Sequence, residues 1–172
     1  MKRLRFRDGD LDGIDAALLR ALATDGRATM ADLAKVVGLS APSVAERVRR
    51  LEEAGIIRGY GAVIDPAALG RPLTAMLRIR PIPGQLPQAV TAIERASAIV
   101  SCDRVTGEDC LVARAHLRDV SELEALIDAI IPYAMTNTAI VQSSPVAPRL
   151  PPIARDGEEA PPAPRRERRR RG

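Results

Sequence analysis

The sequence predicts a two-domain α+β protein, in which a winged helix-turn-helix precedes a ferredoxin-like domain with the element order βαββαβ. Three observations predict this architecture. Apolar residues recur at helical spacing in three stretches of the first 57 residues. A short β-prone segment with glycines follows them. Beyond residue 72 the apolar period becomes that of strands, with two helical stretches between them.

The ends of the three predicted N-terminal helices carry typical sequence signals, which for the second and third helices are capping residues. A hydroxyl or carboxylate side chain at the start of a helix accepts hydrogen bonds from the first-turn amides, and glycine favours its end. These residues are Thr29 and Gly38 for the second helix, and Ser40 and Gly55 for the third, which carries Pro42 in its first turn. In the first helix Asp12 and Asp15 lie near the positive end of the helix dipole, and the turn dipeptide Asp25-Gly26 ends the pattern.

The segment from Ile56 to Ile64 is rich in β-branched residues and contains Gly59 and Gly61, so we expect a short β-hairpin, the wing. Asp65-Pro66 then marks a boundary. The sequence therefore predicts a winged helix-turn-helix domain over residues 1–65 and a hinge over residues 66–72.

The second domain is predicted over residues 73–147. Its strands and helices are expected to form an antiparallel sheet with both helices on one face. The predicted elements are a strand over 73–80, a helix from Leu86 to Ile93, strands over 99–106 and 110–117 joined by Gly107-Glu108-Asp109, a helix capped by Ser121 with Glu124 as a capping box, and a strand over 138–143.

The excess positive charge of the chain lies in its last 24 residues. The chain has 26 basic and 22 acidic side chains, a formal charge of +4. Residues 1–65 carry +1 and residues 66–148 carry −1, so residues 149–172 carry the whole excess. This end is rich in proline and arginine and has no apolar cluster, which predicts a disordered tail over residues 148–172.

Several classes of site are disfavoured by composition. Aromatic residues make up 2% of the chain, too few for base-stacking platforms. Cys102 and Cys110 have no partner cluster and are predicted to be reduced core thiols, and the single histidine, His116, is predicted to be structural. We therefore expect no metal and no cofactor. No apolar run is long enough for a membrane span or a signal peptide, which predicts a cytoplasmic protein that does not bind membranes.

The third helix is the candidate DNA-recognition helix. In a helix-turn-helix the second helix of the motif enters the major groove, and its N-terminal half meets the base edges. An alternative is a solvated helix with ordinary surface pairs, such as Glu46 with Arg50. The preceding short helix and glycine turn favour DNA binding. The candidate contacts are Ser40, Ala41, Pro42, Ser43, Ala45, Glu46, Arg47, Arg49 and Arg50.

The motifs of both domains resemble those of the Lrp/AsnC family of transcription regulators. The first domain contains L-D-x-I-D-x-x-L-L-x-x-L from Leu11, L-A-x-x-V-G-L-S from Leu33 and V-x-x-R-V-x-R-L-E-x-x-G-I-I from Val44. The second contains V-T-G-E-D-C from Val105 and then Pro132-Tyr133. The resemblance covers roughly residues 10 to 147.

This resemblance implies a homodimer that packs the sheets of its C-terminal domains face to face, and rings of four such dimers form an octamer in many members. It also implies that double-stranded DNA is bound by two recognition helices and that a small effector, usually an amino acid, binds near the loop between the second and third strands. A carboxylate would bind the loop backbone and an ammonium group its acidic side chains. The candidate effector residues are Gly107, Glu108, Asp109, Thr136, Asn137 and Thr138.

The sequence leaves open two other functions and the roles of two basic segments. The same domain arrangement occurs in tetrapyrrole decarboxylases, and an architectural DNA binder would sense no effector. The Arg-rich run at Arg165–Arg171 either adds phosphate contacts or is a solvated extension, and the same alternatives hold for the basic residues from Lys2 to Arg7.

Overall fold

The computed structural model describes residues 11–153. This part of the chain contains α1 (Gly13–Thr24), α2 (Met30–Val37), α3 (Ala41–Glu53), β1 (Leu73–Pro81), α4 (Leu86–Arg95), β2 (Ile99–Arg104), β3 (Leu111–Leu117), α5 (Val120–Ile130) and β4 (Ala134–Ile140). It divides into two compact units, one of residues 11–62 with 148–153 and one of residues 63–147. The bases from Lys2 to Arg7 and the tail predicted to be disordered, apart from residues 148–153, lie outside the described residues.

The predicted ends of the three N-terminal helices are confirmed. The side chains of Asp12, Thr29 and Ser40 each accept a hydrogen bond from the amide three residues further on, at 2.8, 3.1 and 3.3 Å respectively. Gly38 ends α2 with φ +69°, a left-handed conformation that a side chain disfavours. Because the left-handed residue turns the chain sharply, α3 begins only three residues after Gly38.

The helix-turn-helix unit has its own apolar core. Apolar residues one helical turn apart lie on the inner face of each helix, and α2 packs against both α1 and α3. The fully or nearly fully buried members of this cluster are Leu18, Leu33, Ala34, Val44 and Val48. The opposite face of α3 is exposed, as the helical wheel predicts.

The prediction of a β-hairpin wing is wrong, because the described residues contain no such hairpin after α3. Residues 56–65 contain no strand, and the side chains of Val63 and Ile64 are 102% and 58% exposed. A two-stranded hairpin has only marginal stability unless it packs on another surface. A β-branched composition favours strands but does not supply such a surface. Within this segment, Tyr60 instead donates its hydroxyl to Glu52 of α3, at 2.8 Å.

The second unit has the predicted ferredoxin-like topology. Its four strands form one antiparallel sheet in the order β2-β3-β1-β4. Alternate residues of β1 and β3 are buried on the face that carries α4 and α5. The largest fully buried side chains of this core are Leu77, Ile79, Leu117 and Ile130.

Three predicted details of this unit are corrected. The last strand spans Ala134–Ile140 rather than residues 138–143, because its pairing with β1 begins at Pro81↔Ala134. The strands β2 and β3 are shorter than predicted at the loop that joins them. The cap of α5 is Asp119, not Ser121: the amide of Glu122 donates to the Asp119 carboxylate at 2.9 Å, which places Ser121 inside the first turn.

Cys102 is also not in the core. It lies exposed on β2, which is an edge strand of the sheet, whereas Cys110 is half-buried and packs against the core. Partial desolvation and the carboxylate of Asp103 raise the pKa of the Cys102 thiol above its usual value. The alternation of apolar and polar residues does not reveal which strands lie at the edge of the sheet. Cys102 is exposed because the strand order places β2 at that edge.

Candidate functional site

The outward face of α3 presents small and polar side chains. Ser40, Pro42, Ser43, Ala45 and Glu46 are exposed, while Val44 between them is fully buried. The Oγ atoms of Ser40 and Ser43 lie 2.8 Å apart at the helix N-terminus. Side chains of this size leave the start of the helix open to a close approach by another molecule.

Arg47 and Arg50 bind a buried carboxylate at the start of α1. Asp15 is completely buried, and its two oxygens accept hydrogen bonds from Arg47 Nη1 at 2.9 Å and from Arg50 Nη2 at 2.8 Å. Arg47 also donates to Asp12 at 2.7 Å. These ion pairs join α3 to the N-terminus of α1. They engage the guanidinium of Arg47, whose side chain is only 26% exposed.

The carboxylate of Asp12, at the start of α1, is held in its ionised form. Partial desolvation raises the pKa of Asp12, but the backbone amide of Asp15 and the guanidinium of Arg47 outweigh it and lower the pKa below its usual value. Hydrogen bonds from Arg47 to Asp12 and Asp15 raise the pKa of the Arg47 guanidinium. Asp12 and Asp15 also cap each other's backbone in a capping box.

Arg49 lies on the exposed face of α3, away from these pairs. Its side chain binds Glu46, with Nε to Oε2 at 2.9 Å, and also Glu53. Hydrogen bonds to these two carboxylates raise the pKa of Arg49, so it is cationic at any physiological pH. The alternative pair of Glu46 with Arg50 does not form because Arg50 is turned toward Asp15. Ion pairs between exposed side chains contribute little stability, so Arg49 exchanges partners readily.

An open cleft of about 450 Å³ lies at the loop between β2 and β3. Arg80 of β1 binds the carboxylates of Glu108 and Asp109, the latter at 3.3 Å from Nε. Gly107 has φ +113°, a conformation that other residues rarely adopt. The cleft is lined by Arg78, Arg80, Val105, Thr106, Gly107, Glu108, Asp109 and Val112.

The three candidate residues of β4 lie on two faces of the sheet. Thr136 and Thr138 pair with Ile79 and Leu77, whose side chains are in the core, so both threonines point to the helix-covered face. The Thr138 hydroxyl is buried there without a hydrogen-bond partner. Asn137 pairs with Arg78 and shares the outer face with it. None of the three lines the cleft.

Arg78 and Arg80 are cleft residues that the sequence did not reveal as such. The alternation of buried and exposed residues along β1 predicts that both arginines lie on its outward side, but it does not predict that they lie close to the β2–β3 loop. The register places Arg78 opposite Val112, whose strand is preceded by the loop. No local pattern encodes this register, and two arginines two apart in a strand were the only available hint.

Other kinds of site find little support in the described chain. Within residues 11–153, no three His, Cys, Asp or Glu side chains come together as metal ligands would. The ring of His116 is engaged by the Thr74 hydroxyl, 3.0 Å from Nδ1. No helix in this range is long and apolar enough to cross a lipid bilayer.

A helix-turn-helix with an exposed third helix, followed by a βαββαβ domain with a charged cleft, defines a class: the two-domain transcription regulator. Comparison with known families gives the same class for each half. The AsnC-type helix-turn-helix domain matches residues 11–52, and the Lrp/AsnC ligand binding domain matches residues 74–151. The chain belongs to the Lrp/AsnC family of transcriptional regulators.

Individual relatives match most of both chains. The transcriptional regulator LrpA of Mycobacterium tuberculosis is 41% identical over 129 residues, which cover 74% of this chain and 86% of LrpA. The structure of Bacillus subtilis LrpC has 31% identity and a TM-score of 0.75, covering 78% and 96% of the two chains. The feast or famine regulatory protein of M. tuberculosis, complexed with L-methionine, has 37% identity and a TM-score of 0.76, covering 84% and 99%.

Proposed function

We propose that this regulator reads a specific double-stranded DNA site with the exposed, N-terminal part of α3. The observation that supports this proposal is the difference between the two faces of α3. One face packs into the core, and the other is not covered by residues 11–62 and presents Ser40, Ser43, Ala45, Glu46 and Arg49. A helix of 13 residues, about 20 Å long, fits the major groove of B-DNA. We also propose a cytoplasmic location, with which a DNA partner is consistent.

The three arginines of α3 make different contacts, and we assign each of them a different role. Arg49 takes the base-reading role, because its exposed partners are exchangeable and its fork matches O6 and N7 of guanine. Arg50 keeps donors beyond its bond to Asp15 and binds a phosphate. Arg47 acts by holding α3 in place.

The remaining candidates on α3 follow from their size and polarity. Ser40 and Ser43 bind a phosphate together with the free amides of the helix N-terminus. Glu46 accepts a hydrogen bond from cytosine, and the small side chains Ala41, Pro42 and Ala45 allow the helix to approach the thymine methyl groups.

Binding of labelled duplexes tests this assignment. One duplex carries the region upstream of the protein's own gene, and the other is a scrambled duplex of the same composition. We expect Arg49→Ala to weaken binding to the first about 10- to 100-fold, because a bidentate base contact contributes about 1–3 kcal/mol. Arg118→Ala is the matched control, since it removes from the other unit an exposed arginine that is ion-paired with a carboxylate four residues further on. Equal affinity of the unmutated chain for both duplexes would contradict the proposal.

We propose an amino acid, or a related metabolite that carries both charges, as the effector of the β2–β3 cleft. The cleft combines two guanidinium groups with two carboxylates, the pairing that an α-carboxylate and an α-ammonium group require. Arg78 and Arg80 take the carboxylate, and Glu108 and Asp109 take the ammonium group. The bound L-methionine of the M. tuberculosis relative supports this class of ligand.

A thermal-shift screen of the twenty amino acids tests the effector. A ligand that binds only the folded state stabilises it by about 2.7 kcal/mol at a concentration of 100 Kd. We expect at least one amino acid to raise the Tm, and we expect Asp109→Asn to reduce that rise. Asp128→Asn, an exposed carboxylate of α5, is the matched control. If no amino acid raises the Tm, an architectural DNA binder without an effector becomes the better description.

We further propose a homodimer that packs the outer faces of two sheets together. This face carries exposed or half-buried apolar side chains, among them Met76, Val112 and Met135, the last 67% exposed. A dimer presents two recognition helices to a pseudo-palindromic site, and four dimers make the octamer. Light scattering after size-exclusion chromatography measures the assembly, and we expect Met135→Glu to yield a smaller species.

The decarboxylase alternative has weaker support. Such chemistry needs proton donors, and the chain contains a single histidine, which is hydrogen-bonded to Thr74. The relatives that match both halves are named as transcriptional regulators. We propose that the chain has no enzymatic activity. A tetrapyrrole absorbance band on the purified protein would contradict this.

A further inference from the structure

A groove of about 520 Å³ runs between α4 and α5. Small-molecule sites in proteins have volumes of about 300–1,000 Å³, so the groove is large enough for such a ligand. Its residues on α4 recur at helical spacing, which places them on one face of that helix. α4 contributes Gln88, Thr91, Ala92 and Arg95 to the walls, α5 contributes Ala129, and Tyr133 follows the end of α5.

Arg95 is the only charged side chain among the described residues that line this groove. It is exposed, and no carboxylate within residues 11–153 forms an ion pair with it. Arg80 differs, because two carboxylates bind it in the β2–β3 cleft. The guanidinium of Arg95 is therefore open to an anionic ligand.

The other groups along the groove are neutral and largely apolar. The Thr91 hydroxyl donates to the Pro87 carbonyl one turn earlier, at 3.0 Å, so it is engaged within α4. Gln88 offers an uncharged amide. Ala92 packs against the core of the second unit, and the side chain of Ala129 is exposed on the α5 wall. Because both alanines are small, they leave room for an apolar group between the helices.

The ring of Tyr133 gives the groove an aromatic surface. Tyr133 is the only aromatic residue of the second unit, residues 63–147. Its backbone N–H donates to the Ile130 carbonyl, and its own carbonyl accepts from the Ile82 amide, both at 2.9 Å. The side chain also packs partly against the core. A ring held in this way stacks against a planar group at little cost in conformational freedom.

We propose that the α4–α5 groove binds a small aromatic monocarboxylate. The carboxylate pairs with the guanidinium of Arg95, and the ring lies between the two alanines and the ring of Tyr133. One guanidinium balances one negative charge, and a second charged group would meet apolar walls without a partner. The described part of the groove has no carboxylate to accept an ammonium group, so it favours an aromatic acid over an amino acid.

The position of the groove keeps it accessible in the proposed dimer. α4 and α5 cover one face of the sheet, and the dimer contact proposed above uses the other face. Among the residues that the structure describes, the groove shares no lining residue with the β2–β3 cleft. It is therefore a second site, for a class of ligand that differs from the proposed effector, and it does not depend on that effector.

Binding of benzoate to the full chain, followed by a saturation-transfer NMR titration, tests the proposal. Benzamide is the uncharged analogue, and acetate keeps the carboxylate without the ring. We expect benzoate to bind saturably with a Kd on the order of millimolar, as suits a ligand of this size. We expect benzamide and acetate each to bind at least about 10-fold more weakly, because benzamide lacks the charge and acetate lacks the ring.

Two substitutions locate the bound benzoate. Arg95→Gln should weaken binding about 10-fold, and Arg104→Gln, at an exposed arginine of β2 outside the groove, is the matched control. Ala129→Trp should fill the groove and abolish binding, whereas Ala125→Trp, at an exposed alanine one turn earlier on α5, should not. A melting curve of each variant checks that the fold is intact.

Four outcomes would overturn the proposal. They are benzoate that does not saturate the unmutated chain, benzamide or acetate that binds as tightly as benzoate, an affinity for benzoate that Arg95→Gln or Ala129→Trp leaves unchanged, and a control substitution that weakens binding as much as its matched variant.

Discussion

Asp15 is the residue that most constrains the helix-turn-helix unit. It is the only fully buried charged side chain among residues 11–153, and both guanidinium groups that hold it come from α3. A buried carboxylate is tolerated when its oxygens are hydrogen-bonded to opposite charges. Arg47 is thereby given a structural contact as well as the DNA contact proposed for it from the sequence. On a helical wheel of α3, Arg47 lies between the exposed flank and the buried face, which is consistent with this contact.

We expect Asp15→Asn to lower the free energy of unfolding by about 1–3 kcal/mol, because an amide cannot satisfy two guanidinium groups and leaves a buried polar group poorly paired. Urea unfolding followed by far-UV circular dichroism measures the change. Asp32→Asn is the matched control, since Asp32 is an exposed carboxylate near the start of α2. A loss in Asp15→Asn no larger than in this control would show that the buried pairs contribute nothing.

At the scale of single elements, most of the prediction was local and most of it is confirmed. The predicted N-caps of α2 and α3, Thr29 and Ser40, accept the free amides of the first turn, an interaction within three residues, and in the structure Asp12 caps α1 in the same way. The cap of α5 was mispredicted because Asp119 and Ser121 both offer an acceptor with an acidic residue three positions on. The fold selects Asp119, since Glu122 then also accepts from the amide of Arg118 at 2.7 Å.

The turn between α2 and α3 depends on one glycine. A Cβ at Gly38 would meet no atom within 4 Å, so a substitution there is opposed by the backbone conformation alone. We expect Gly38→Ala to destabilise the protein by about 1–2 kcal/mol, the cost of a left-handed residue with a side chain. Gly13→Ala, in open space within α1, should be neutral or stabilising. Thermal unfolding of both variants measures this, and equal Tm values would contradict it.

At the scale of the whole molecule, the described chain has two separate apolar cores. The cluster around Leu18 contains residues of α1, α2 and α3, and the cluster around Leu77 contains residues of the sheet, α4 and α5. The two clusters share no residue. Each unit therefore has an apolar core of its own to stabilise it.

We expect core truncations to act on one unit each. Leu77→Ala and Leu18→Ala should each lower stability by about 2–5 kcal/mol, because both side chains are fully buried. Hydrogen exchange should show faster exchange of β1–β4 amides in the first variant and of α1–α3 amides in the second. Leu69→Ala, at a residue 68% exposed, is the control. Loss of protection throughout both units in either variant would contradict two independent cores.

The sequence by itself determined the order of the α-helices and of the strands of the sheet, nearly all helix ends and the faces that are buried, because these depend on contacts within about four residues and on the periods of helix and strand. Tertiary structure alone decided what depends on distant pairing. It brought Arg78 and Arg80 to the loop at Glu108 and turned Thr136 and Thr138 toward the core, through strand register. It also gave Arg47 and Arg50 a buried partner 32 and 35 residues away. Strand register and buried ion pairs join segments far apart in the chain, and no local spacing encodes them.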